Sequence, residues 1–228
     1  MKLPGVLTDP DQRSRALEYL TEYFAPYPLD TQDVPKGRYT GSRFERFRAD
    51  RREADKNTFT ADDVVSLSLL SVDLKGHAVL HLLEADNARL SALLAQVPAD
   101  VDLVEVPLAD IKAGWPAWDL YDALKEITGI GTTSASKLLA RKRPLLIPIR
   151  DVDVARSLDL GNGDFWKPLA EALGSPGYGA GGVTLHEYLL ELRTASGIGD
   201  DISPLRVFDV IVWRDAQDSA GRSGVAAD

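Results

Sequence analysis

Apolar residues recur at helical spacing along most of the chain, broken by short polar, proline-rich or glycine-rich stretches. Residues 11–24 place Leu17, Leu20, Tyr23 and Phe24 on one face, with Asp9 positioned to cap the first turn, and predict a helix. Residues 25–37 hold three prolines and a glycine and predict an extended connection. Residues 37–52 interleave arginines with Tyr39, Phe44 and Phe47, the pattern of a loop that leans on a core through its aromatics. Thr60 reads as an N-cap, with Asp63 three residues on as the acidic partner of a capping box. Val64, Val65, Leu67, Leu69 and Leu70 make the following helix apolar on nearly all sides, which predicts a central, buried element.

Two further helical segments follow at residues 77–84 and 87–97, then a brief extended stretch from Val101 that turns into a short helix. Residues 115–127 read as a helix with Pro116 in its first turn, where the missing N–H costs nothing. Helices are also expected at 153–158, 164–174 and 183–196. The segment 174–182 has five glycines and a proline and predicts a flexible loop. The stretch 203–216 is helix or strand, with Pro204 after Ser203 favouring helix, and the polar tail from Gln217 is expected to be disordered.

No apolar run reaches membrane-spanning length, and residues 1–20 lack a signal-peptide core, so a cytoplasmic protein is expected. The absence of cysteine excludes a disulfide scaffold, a zinc ribbon and a cysteine nucleophile. The net charge of −9 opposes nucleic-acid binding as a global sum, yet the positive charge is concentrated. Residues 129–150 carry Lys137, Arg141, Lys142, Arg143 and Arg150 and no acid, and residues 36–56 carry eight basic residues against Glu45, Asp50, Glu53 and Asp55.

The most specific pattern is the stretch 124–144. Leu124 and Ile127 lie on one face of an incoming helix, Gly129, Ile130 and Gly131 make a turn, and Ala135, Leu138 and Leu139 lie on one face of an outgoing helix. The glycines permit positive φ and close approach of a foreign backbone. The second helix would present unsatisfied N–H groups and the positive end of its dipole, a ready phosphate site. Turn carbonyls could add a monovalent cation; no other cofactor is expected. A plain helical hairpin closed by glycine would read the same way in sequence.

On these residues the chain resembles the helix-hairpin-helix DNA glycosylase superfamily, over roughly Phe59 to Leu173. In that superfamily the hairpin is followed by a loop bearing a catalytic aspartate; here Asp151 stands twenty residues after Gly131, and Arg156 five after Asp151. The chain is also similar, over its length, to an uncharacterised bacterial family of unknown function. The superfamily resemblance implies an all-α, glycosylase-like helical domain over residues 58–216, an N-terminal extension over 1–57 and a tail over 217–228. It implies DNA as partner, with Gly129, Gly131 and Thr133 holding a phosphate, Lys137, Arg141 and Lys142 holding flanking phosphates, and Asp151 as catalytic carboxylate.

Several departures narrow that expectation. Thr133 stands where a Schiff-base lysine would be, so no lyase activity is expected. The cysteines of an iron–sulfur cluster are absent, the histidine that usually follows the aspartate is missing from Asp151-Val152-Asp153, and Val72-Asp73 replaces the glutamine wedge after Leu70-Ser71. Asp151 is also a good helix N-cap, a role that needs no chemistry. A monofunctional DNA glycosylase is therefore one expectation. A non-catalytic protein that binds DNA or a protein partner is the other, and a purely structural helical protein is compatible with the acidic charge. His77 and His81 have i,i+4 spacing but no evident third metal ligand, His186 stands alone, and Trp115 and Trp118 read as packing residues around Pro116.

Overall fold

The computed structural model describes residues 1–30, 33, 37–51, 53–160 and 165–225, with side chains to residue 220. Among them are α1 (Gly5–Thr8), α2 (Arg13–Tyr23), α3 (Ala61–Ser68), α4 (Gly76–Leu80), α5 (Asn87–Leu94), α6 (Pro116–Lys125), α7 (Thr132–Lys142), α8 (Val152–Ser157), α9 (Trp166–Gly174), a β1–β2 pair (Pro176–Tyr178 and Val183–Thr184), α10 (Leu185–Ser196) and α11 (Pro204–Val225). The fold is all-α apart from that short pair, and no described helix is long and apolar enough to cross a membrane.

The chain forms two compact units, residues 1–39 with 151–228, and residues 40–150. This division differs from the one drawn along the sequence. Residues 1–39 are not an appendage, because α2 packs on α10 and α11, and residues 40–57 belong with the hairpin.

In the discontinuous unit, α11 is the central element, flanked by α1, α2, α8 and α10. Its residues 204–212 are buried on every side. Ser203 caps it, its Oγ accepting from Arg206 N–H at 3.1 Å, and Pro204 takes the first turn. The buried polar pair Arg206–Asp209 lies on this helix, and Arg206 also donates to the Tyr23 hydroxyl at 2.5 Å. The Tyr23 ring stacks on Tyr39 at 4.8 Å, and Trp213 meets both rings edge-on. The polar stretch after Gln217 continues the helix to Val225: Gln217 donates to Asp153 at 3.1 Å and Asp218 accepts from Tyr19 at 2.9 Å. Residues 226–228 lie outside the described residues.

The expected cap at Asp9 is present, accepting from Asp11 N–H at 3.0 Å ahead of α2. Thr184 and Glu187 also form a capping box on α10, and Gly197 ends α10 at φ +66°. The glycine-rich stretch departs from expectation. It forms an antiparallel hairpin with Pro176 opposite Thr184, and Gly179, at φ +60°, lies so near the Tyr188 ring that a Cβ would approach it to 3.0 Å.

In the continuous unit, α3 packs on α7, α7 on α6 and α6 on α5. The capping box at Thr60 and Asp63 is present, but α3 is not the central helix its composition predicts. It turns Asp63, Ser66 and Leu67 inward and leaves Val65 47% exposed, because its buried face answers a charged neighbour. Between α4 and α5 the chain widens into one π turn, His81–Ala85, with Asp86 N–H reaching the His81 carbonyl at 2.8 Å. Asn87 satisfies the displaced backbone there, donating to the Leu82 and Phe59 carbonyls at 3.1 and 3.0 Å.

Asp209→Ala would leave the Arg206 guanidinium buried without its carboxylate. We expect a loss of about 3–5 kcal/mol in urea unfolding; a loss under about 1 kcal/mol would show that the pair is not a structural tie of this unit.

Candidate nucleic-acid interface

The hairpin is built as its sequence pattern requires. Trp115 precedes α6 in extended conformation and Pro116 opens it. Leu120, Leu124 and Ile127 are buried on one face, and Ile130, 3% exposed, turns inward between the helices, its N–H donating to the Ile127 carbonyl at 2.9 Å. Gly129 sits at φ +98°, a conformation costly for any residue with a Cβ. An added Cβ there would also touch Ala78 at 3.4 Å. Gly131 is different: its φ is −94° and nothing lies within 4 Å of a Cβ placed on it. Only the first glycine is therefore required by the backbone.

Gly131 is the N-cap of α7, and no side chain caps this helix. Its first turn holds no acid, and Thr132, Thr133 and Ser134 are part-exposed. The leading N–H groups of a helix have no acceptor within it and sit at the positive end of its dipole. Ala135, one turn on, is fully buried. Ser136 donates to the Thr133 carbonyl at 2.9 Å and accepts from Arg150 N–H at 3.0 Å, so the first turn is tied to the segment that leaves the unit.

The basic residues behind the turn have another placement than the sequence suggested. Lys137, Arg141, Lys142 and Arg143 are all buried. Lys137 donates to the Leu70 carbonyl at 3.2 Å. Arg141 donates to the carbonyls of Phe44 (2.7 Å), Glu45 (3.1 Å) and Phe47. Lys142 donates to the Asp55 carbonyl at 3.0 Å and pairs with Asp63 at 2.6 Å. Arg143 donates to the carbonyls of Val97, Lys56 and Leu94 and to Asn57 Oδ1, each within 2.8 Å. Their donors are turned to protein oxygens, so side-chain grip on flanking phosphates is not what this arrangement offers; the run clamps the chain. Burial holds the Lys142 ammonium below the usual lysine range and brings Arg143 down to about 10.

Asp151 lies in the other unit, where it does what the capping alternative foresaw. Its Oδ1 accepts from Asp153 N–H at 3.1 Å and it starts α8. Asp153 in turn pairs with the exposed Arg156 at 3.0 Å. The His77 and His81 rings lie 4.5 Å apart, tilted by 54°, and His81 bonds Asp86 at 2.8 Å, which holds the Asp86 carboxyl below its usual range. Among the described residues no three side chains group as metal ligands. Trp115 is buried and Trp118 packs edge-on to Tyr121, as packing residues do.

One feature of the discontinuous unit had only a partial signal along the chain. A cleft of about 590 Å³ is lined by Arg15, Tyr19, Glu22, Arg214 and Asp218, among others. Burial pushes the Tyr19 phenol up to about 12, and its hydroxyl bridges Arg15 (2.5 Å) and Asp218 (2.9 Å). The spacing of Arg15 and Tyr19 hints at a contact, but Asp218 is 199 residues away.

The chain belongs to a family of unknown function, DUF6308, which matches residues 16–216. No curated protein and no solved structure matches it.

The clamp carries two expectations. Arg141→Ala, which removes the hydrogen bonds to three loop carbonyls, should cost at least about 3 kcal/mol in urea unfolding, since each hydrogen bond to a charged group contributes about 1.5–3 kcal/mol. An unchanged midpoint would return Arg141 to the surface role read from sequence. Lys142 binds its proton less tightly folded than unfolded, so between its lowered pKa and 10.5 the unfolded chain holds more protons, and this group makes stability rise with pH. The stability of wild type relative to Lys142→Met should therefore increase from neutral pH toward 10.5; a flat or falling difference contradicts the shift.

Proposed function

We propose that this chain binds DNA, with one backbone phosphate held on the main-chain N–H groups that open α7. The observation that carries the reading is the hairpin turn itself. A left-handed Gly129 and an inward Ile130 present a helix start with no side-chain cap, no acid and part-exposed hydroxyls. Such a start favours an oxyanion by both hydrogen bonding and dipole. Gly129, Gly131 and Thr133 form the contact, and carbonyls of the turn can share a monovalent cation with the phosphate. Lys137, Arg141 and Lys142 serve it from beneath, by fixing the chain around α7.

The finer reading is base excision, with Asp151 as the carboxylate of a monofunctional glycosylase. Its support is the spacing of Asp151 after the hairpin and the resemblance that goes with it. Asparagine caps a helix about as well as aspartate, so Asp151→Asn separates chemistry from folding. Base release from a panel of damaged duplexes that disappears in Asp151→Asn, at unchanged stability, supports catalysis. Release that survives the substitution would remove Asp151 from the chemistry, and none from wild type would leave a non-catalytic binding protein.

Binding is tested by fluorescence anisotropy of a labelled duplex, intact or with a stable abasic analogue, at two salt concentrations. Thr133→Glu puts a carboxylate into the first turn of α7, where it should stabilise the helix by about 0.3–1 kcal/mol while repelling a phosphate. We expect duplex affinity to fall about tenfold, 1.4 kcal/mol, as the melting temperature holds or rises. Equal affinity in wild type and Thr133→Glu would remove the hairpin from the interface, and no binding at low salt would overturn the proposal.

A further inference from the structure

We infer that the arginine-rich segment 43–51 is a second, preorganised anion-binding surface, whose ligand is the phosphate backbone of the same nucleic acid; the ligand's identity rests on the reading of the hairpin. The segment is held from inside. Arg141 takes the carbonyls of Phe44, Glu45 and Phe47, Lys142 that of Asp55, and Arg143 that of Lys56. Phe44, 1% exposed, seats the segment in a cluster with Ala140, Ile149 and Leu70. Thr40 fastens its start, donating to the Leu69 carbonyl at 2.9 Å. A loop of this composition would ordinarily be loose; here its backbone is fixed before any ligand arrives, which lowers the ordering cost of binding.

What the fixed backbone shows outward is guanidinium. Arg43 is exposed, and the side chains of Arg48 and Arg51 are 42% and 58% exposed. The carboxylate they share, Asp62, lies at 3.7 and 3.9 Å, the outer limit of an ion pair, and such solvated pairs hold little energy. Asp50 is exposed among them and Glu53 is engaged with Lys56. Beneath the loop lie Arg141, Lys142 and Arg143, and the buried carboxylates of this unit among the described residues are Asp63 and Glu45. The surface arginines thus sit over a cationic interior on a chain whose net charge is −9.

Three arginines spread along a loop suit an extended polyanion better than a small ion, which needs guanidiniums converging on one point. Position favours the same ligand as the hairpin. The loop is fastened at the C-terminal end of α7, from Ala140 to Arg143, and Gly131 to Arg141 is about 15 Å of helix. At one charge per 3.4 Å of strand axis that is roughly four phosphates.

The test uses the full chain and a labelled duplex, with anisotropy titrations over a range of salt. The variants are R43Q/R48Q/R51Q, Asp62→Asn and Thr133→Glu. We expect the triple variant to keep its melting temperature, to bind at least about tenfold more weakly and to lose about 2–3 from the slope of log K against log salt, near 0.9 per phosphate. Asp62→Asn, which removes the acid beside Arg48 and Arg51, should tighten binding, a gain that unfolding cannot mimic. Unchanged affinity and slope in both loop variants, with Thr133→Glu still weakened, would overturn the loop and leave the hairpin. Loss in the triple variant with Thr133→Glu unaffected would support the loop and remove the hairpin. No binding by wild type would overturn both.

Discussion

Consecutive residues of an α-helix point about 100° apart. Arg141, Lys142 and the C-cap residue Arg143 therefore leave α7 in different directions, and all three are buried. That is possible only if chain covers this end of the helix on several sides. It does: residues 44–47 on the Arg141 side, Asp55 and Asp63 at Lys142, and Leu94, Val97, Lys56 and Asn57 around Arg143. Backbone carbonyls supply most of the compensation, at about 1.5–3 kcal/mol for each hydrogen bond to a charged group. Desolvating each cation costs several kcal/mol. The negative end of the α7 dipole adds to the favourable side. The unit is held by a balance of large opposed terms, so the loss of one partner matters more than the net worth of the whole.

This constraint orders the rest of the continuous unit. It makes α3 turn a carboxylate inward, which is why a helix rich in Val and Leu lies at the side and not at the centre. It fastens a loop that has little apolar content of its own. It also leaves the opposite end of α7 unencumbered, so that the hairpin turn faces outward with its leading N–H groups uncapped. The C-terminal half of this helix is structural, and its N-terminal turn is the part we propose as the anion contact.

The hairpin was legible because its determinants are local. Positive φ at Gly129, an inward Ile130 and a small Ala135 are properties of a few neighbouring residues, and so are the capping box at Thr60 and the cap at Asp151. The direction of the basic side chains was not legible. A lysine or arginine on a helix reads as surface because burial without partners is costly. The partners here are carbonyls contributed from 46 to 97 residues away, and a carbonyl has no sequence signature. The helical continuation past Gln217 was hidden by distance alone, since its support comes from the side chains of Tyr19 and Asp153 on remote segments.

The sequence by itself determined an all-α chain, most helix starts and stops, and a glycine-closed hairpin, since these depend on dihedral preference and on side chains within a turn of each other. Tertiary structure decided which helix is central, where the two units divide, and whether a positive charge faces solvent or protein. Those outcomes depend on which distant backbone groups come within hydrogen-bonding reach, and only the folded chain brings them there.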